Sequence, residues 1–223
     1  MNQAPATTTT TAGSKALDEF LARVREPATG KGKLLFVLDA TASRQETWDT
    51  AANLMAEMFQ AAPSGLQTQL VYYRGAGECH ASKWFNDAKA MTQTMTGIFC
   101  RSGLTQIRKV LLHAAKEHAK QKIATVILVS DACEEHPNEL YAAARELGVP
   151  VFMFQEGDDE YVASIYMKIA EITKGAYCKF DSGAAARLAD LLKAVAAFAS
   201  GGLTALANQN SEAAKLLLTQ IKK

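Results

Sequence analysis

The stretch KLLFVLDATASR, residues 33–44, changes character at Asp39. Between Lys33 and Asp39 the residues are all apolar, as in a strand buried on both faces of a sheet. Asp39 ends the run, and hydroxyls follow at alternate positions, Thr41 and Ser43. A second run, IATVILVSD at 123–131, ends in Ser130 and Asp131, and a third, VPVFMFQ, spans 149–155. Segments with helical spacing separate them. QIRKVLLHAAKEHAKQ, 106–121, puts Ile107, Val110, Leu111 and Ala114 on one face. NELYAAARELG ends at Gly148, a helix stop. QTQLVYYR, 67–74, and CHASKWF, 79–85, flank Gly75-Ala76-Gly77 and predict a hairpin. The pattern is α/β: a doubly wound, mostly parallel sheet with one antiparallel hairpin strand and helices on both faces.

Residues 1–13 are rich in Thr and Ala and predict a disordered tail. Residues 14–32 predict a helix, with Leu17, Phe20, Leu21 and Val24 inward, then a connector. The main domain runs from 33 to 200. It includes helical patterns at 44–62, 86–98, 161–175 and 183–199 and a short strand at 176–181. Residues 201–223 form a helical extension after the break at Gly201-Gly202. Its Leu216, Leu217, Leu218 and Ile221 favour packing back on the domain over docking a second protein.

Composition excludes several classes. The formal charge of +1 offers no basic face, so nucleic acid is not an expected partner. Cys79, Cys100, Cys133 and Cys178 make no CxxC pair, so neither a zinc ribbon nor a disulfide framework is indicated. The start lacks an apolar signal core, and the uncharged stretch 194–207 is too short to span a bilayer. A cytoplasmic protein without membrane contact is expected.

Ligands of open parallel sheets collect at the carboxyl ends of the strands. Asp39 and Asp131 should therefore share a crevice. Two carboxylates repel unless a cation or proton lies between them. Thr41 and Ser43 add neutral oxygens of the kind hard divalent ions accept, and the Gly103-Leu104-Thr105 loop offers another.

Asp39-x-Thr41-x-Ser43, Thr105 after Ser102-Gly103, and Ser130-Asp131 together resemble the metal-ion-dependent adhesion site (MIDAS) of von Willebrand factor type A (VWA) domains. The resemblance covers about residues 33–200. Thr41 stands where that family usually has Ser and keeps the hydroxyl. Ala132 stands where Gly usually follows the last aspartate. The resemblance implies a Mg2+ or Mn2+ site. Thr41, Ser43 and Thr105 would bind the ion directly, and Asp39 and Asp131 would hold it through ordered waters. A partner's carboxylate would complete the octahedron, with bonds of about 2.0–2.1 Å for magnesium. It further implies a non-enzymatic protein-binding module inside a multiprotein assembly, in some relatives one containing an ATPase.

A competing expectation is a magnesium-dependent phosphatase of the haloacid-dehalogenase type. Asp39 would then be the nucleophile, Ser130 a phosphate contact, Gly157-Asp158-Asp159 a metal loop and Lys122 the balancing cation. Thr41 in place of the usual acid–base aspartate, and a Thr105 loop left without a role, argue against it. Other residues carry less. His113 and His118 lie off any shared-ligand spacing. His136 fits a turn before Pro137. Glu134 and Glu135 either add charge to the crevice or are solvated, and they oppose a reactive Cys133. Trp48 and Trp84 suit a core, and Gly157–Glu160 suits a solvated helix start.

Overall fold

The computed structural model describes residues 32–44, 53–54, 57–58, 66–180 and 185–221. The expected tail, the N-terminal helix, Trp48 and most of the helix at 44–62 lie outside these residues. Leu54 and Met58 from that stretch are helical and buried.

Among the described residues one sheet has six strands: β1 (Lys33–Asp39), β2 (Gln67–Arg74), β3 (Glu78–Phe85), β4 (Thr125–Ser130), β5 (Val151–Glu156) and β6 (Ala176–Phe180). Their order is β3-β2-β1-β4-β5-β6. Only β2 and β3 pair antiparallel, through the Gly75–Gly77 turn. The other pairings are parallel. From β1 the chain moves first to one side, to β2, and later to the other, to β4. This reversal opens a crevice between the carboxyl ends of β1 and β4.

The uninterrupted apolar run of β1 feeds two cores. Leu34, Phe36 and Leu38 face one side, where α1 (Ala88–Thr96), α5 (Ala185–Ala207) and α6 (Glu212–Ile221) pack. Leu35 and Val37 face the other, covered by α2 (Ile107–Lys120), α3 (Pro137–Leu147) and α4 (Glu160–Thr173). A period of two along a strand sends alternate side chains to opposite faces, so both faces need apolar residues.

Helix ends follow local chemistry. Asp87 and Asp159 cap α1 and α4, and His136 caps α3 with Pro137 just inside. Gly148 ends α3 at φ 67°, a left-handed conformation that glycine adopts without steric cost. The aspartate at 159 thus serves as a cap, and Asp158 pairs with Lys179 at 2.7 Å.

Helix α5 is interrupted at Gly201 and Gly202, where φ is −150° and 64°. Past this kink the chain turns back. Ala214, Leu217 and Ile221 of α6 are buried in the same core as β1. Gln220 accepts from the Tyr177 backbone N–H at 2.8 Å and donates to the Tyr177 carbonyl at 2.9 Å. It thereby satisfies both backbone groups of Tyr177 on the open edge of β6, an edge of the kind that invites pairing with another chain. Leu217→Ala should lower stability by about 2–5 kcal/mol. Urea unfolding should show a lower midpoint with an unchanged m-value.

Candidate functional site

The crevice is built around Asp39, which has no exposed surface. Its Oδ1 accepts from the Thr41 backbone N–H at 2.8 Å, an Asx turn that swings the chain off the strand. Its Oδ2 accepts from the Ser130 hydroxyl at 2.7 Å and the Tyr73 hydroxyl at 3.1 Å. Tyr73 also lies 3.0 Å from Ser130 Oγ. Burial pushes the Asp39 carboxyl above its ordinary pKa; hydrogen bonds from Thr41 and Ser130 oppose this, and nearby Asp131 adds to it. Tyr73 is driven well above the usual phenol value, first by burial and then by Asp39.

Beyond the Asx turn, Ala42–Arg44 form a single 3-10 turn closed by Arg44 N–H to the Thr41 carbonyl at 3.1 Å. The turn sets Thr41 Oγ1 3.1 Å from Ser43 Oγ. Thr41 is buried and Ser43 exposed. Asp39 therefore sets the approach to this turn through the Thr41 N–H.

Asp131 follows Ser130 at the end of β4. Its Oδ1 is buried and has no hydrogen-bond partner among the described residues. A buried carboxylate oxygen without a donor is costly unless something else stabilises its charge. The chemistry here suits a hard cation: one orphaned carboxylate oxygen, a second carboxylate whose charge reaches the first, and two hydroxyls in contact.

Thr105 is placed differently. Its loop lies against the Asp39 turn, because Arg101 N–H donates to the Ala40 carbonyl at 3.0 Å. No hydrogen bond joins it to the other four residues among those described. Its hydroxyl donates to Glu134 Oε2 at 2.7 Å, and its backbone N–H does so at 2.9 Å. The Glu134 N–H returns a bond to Thr105 Oγ1 at 3.2 Å. One hydroxyl lone pair stays available for an ion. The loop packs tightly, since a methyl on Gly103 would meet the Gly75 carbonyl oxygen at 2.1 Å.

Glu134 and Glu135 are neither solvated spectators nor simple charge donors to the crevice. Glu135 accepts from Arg108 N–H at 3.0 Å and from Ile107 N–H. It caps α2, whose own N-cap Gln106 makes no such side-chain bond. Both acids join the β4–α3 loop to the Thr105 loop. Burial raises the Cys133 thiol to about 11, which favours the protonated thiol over the thiolate at neutral pH.

Sequence reasoning missed Tyr73 and Arg44. Tyr73 is level with Asp39 in the β1–β2 pairing, a register that composition does not reveal. Arg44 has 3% of its surface exposed and forms an ion pair with Glu156 at the end of β5. Burial pulls its guanidinium below the ordinary value, while Asp131 and Asp39 push it back up.

The phosphatase alternative finds no support. Both oxygens of Asp39 are engaged, and its candidate metal aspartates serve α4 and Lys179 instead. Tyr73→Phe should remove a bond to a charged group worth about 1.5–3 kcal/mol. Thermal melts should fall accordingly, with native far-UV circular dichroism.

No protein-family model and no curated protein matches the chain. Solved structures do. A von Willebrand factor type A protein from Catenulispora acidiphila superposes with a TM-score of 0.62 at 17% identity, covering 77% of this chain and 43% of that one. The SpRpn10 VWA domain gives 0.59 at 10% identity, covering 74% and 94%. The ArnB paralog VWA2 from Sulfolobus acidocaldarius gives 0.55 at 14% identity, covering 74% and 45%. The chain thus spans under half the length of the first and third proteins. The likeness is one of fold: a mixed six-stranded sheet with one antiparallel pair and helices on both faces, the von Willebrand factor type A fold.

Proposed function

We propose that this chain is a protein-binding module that uses a divalent cation, Mg2+ or Mn2+, to recognise an acidic group on its partner. The observation that carries this is the buried, unpartnered Oδ1 of Asp131 at the topological switch of the sheet. Thr41, Ser43 and Thr105 would supply neutral oxygens, while Asp39 and Asp131 would supply charge. When bound, the ion offers a position for an incoming carboxylate. Asp39 cannot turn outward without breaking its bonds to Tyr73 and Ser130, so its role is to fix the turn and hold charge in place.

The rim supports a macromolecular partner. Phe99 and Leu104, on the two sides of the Ser102-Gly103 turn, are 70% and 64% exposed. Large apolar residues in the open beside a polar centre suit an interface with an apolar patch and a central charged contact. This role requires no catalysis. An intracellular, cytoplasmic assembly is the proposed setting.

Calorimetry with MgCl2 and MnCl2 tests the site. Wild type should bind one ion saturably. Asp131→Asn and Thr41→Val should weaken binding by about 10–100-fold with native circular dichroism. Affinity unchanged in both variants would remove the cation from the proposal. Partner capture should then be lost in EDTA and in Asp131→Asn.

A further inference from the structure

The carboxyl ends of three adjacent strands each carry an acid. Asp39 ends β1, Asp131 follows β4, and Glu156 ends β5. Register sets their heights. Leu38 pairs with Val129, which brings Asp39 level with Ser130. Ser130 pairs with Gln155, which brings Asp131 level with Glu156. Arg44 begins in the turn after β1 yet pairs with Glu156 on β5. In the sheet β4, which Asp131 follows, lies between β1 and β5. With 3% exposure, the Arg44 charge is delivered inside the crevice and not to solvent.

We propose that Arg44 is the built-in cation of this acid cluster and holds the place that a divalent ion would take. The guanidinium pairs with Glu156, and its charge acts through space on Asp131 and Asp39. An ion bound at Asp131 would meet this positive charge, so its binding requires the guanidinium to move away. Because Arg44 directly follows Ser43, its withdrawal also moves the turn that carries two proposed ligands. The site therefore exchanges one cation for another, and its apparent metal affinity is set partly by Arg44. A guanidinium suits this role because it is always charged, weakly hydrated and planar. The competition deepens the proposed cation-dependent recognition and rests on it, whereas the charge pairing stands without it.

Two measurements on the full chain separate these parts. The first is a double-mutant cycle by thermal melting in EDTA, with Arg44→Met, Asp131→Asn and the double variant. Arg44→Met should lower the melting temperature by exposing acid repulsion, and Asp131→Asn should restore part of that loss. Strict additivity overturns the proposal. The second is Mn2+ affinity by calorimetry. Arg44→Met should bind Mn2+ roughly 5–150-fold more tightly than wild type, the usual range of coupling between two occupants. Arg44→Lys keeps a cation without the planar fork and should fall between them; it decides the matter if Arg44→Met does not fold. Wild-type-like affinity in these variants overturns the competition and leaves the recognition site intact. If no variant and no wild type binds Mn2+, the metal-dependent function falls, and the EDTA cycle alone decides whether Arg44 is the permanent cation.

Discussion

A charged carboxylate with no exposed surface has to be satisfied by the protein itself, and Asp39 shows how. Taking such a group out of water costs several kcal/mol unless hydrogen bonds replace its hydration. Three groups supply them: the Thr41 N–H, the Ser130 hydroxyl and the Tyr73 hydroxyl. Each comes from a different segment. The bond from Thr41 starts the turn, the one from Ser130 fixes β4 against β1, and the one from Tyr73 fixes β2. The ends of the three central strands are thereby held at one height. Everything proposed for the crevice depends on that alignment, because Thr41, Ser43, Arg44 and Asp131 all take their positions from it.

Much of this architecture is legible in the residues. Uninterrupted apolar runs in β1, β4 and β5 mark strands buried on both faces, and the helix pattern at 106–121 and the break at Gly201-Gly202 both appear where spacing and glycine place them. Asp39 and Asp131 are legible as acids at strand ends. What was not legible depends on contacts between distant segments. Glu134 and Glu135 look like a solvated acid pair, yet they bond Thr105, Ile107 and Arg108, 27 to 29 positions away. Tyr72 and Tyr73 are equivalent in an apolar run, and only register decides that Tyr73 meets Asp39. Arg44 reads as the first polar residue of a helix, because nothing local signals that its partner lies on β5.

The two ends of the sheet are put to different uses. At the carboxyl end, loops converge and carry polar groups. They are braced by side chains and by the close approach of Gly103 to Gly75, which keeps the Thr105 loop against the hairpin. Along the β6 edge, Gln220 of α6 closes the backbone donor and acceptor of Tyr177. The kink at Gly202 makes this closure possible, since a straight α5 would carry its end away from the sheet. Apolar burial is thus concentrated in the two cores, and the polar chemistry lies in the strand-end loops.

The acid cluster can be neutralised by a proton, by a guanidinium or by an ion, and the hydrogen bonds discriminate among them. Burial favours protonating Asp39. Its neighbours oppose it, because the Thr41 N–H can only donate and Ser130 directs its hydroxyl at the same carboxylate. A proton on Oδ1 would face the Thr41 N–H donor against donor, and one on Oδ2 would require the Ser130 and Tyr73 hydroxyls to turn and accept. With all three donors in place Asp39 acts only as an acceptor, and its charge adds to that of the cluster. Glu156 and Asp131 compound that charge on the neighbouring strands. Arg44, anchored at Glu156, meets it within the chain. A divalent ion concentrates more charge in a smaller volume and also recruits the hydroxyls of Thr41 and Ser43, which a guanidinium, having donors only, meets merely as hydrogen-bond acceptors. The same alignment that makes the crevice tolerable with Arg44 in it makes the crevice receptive to a harder cation.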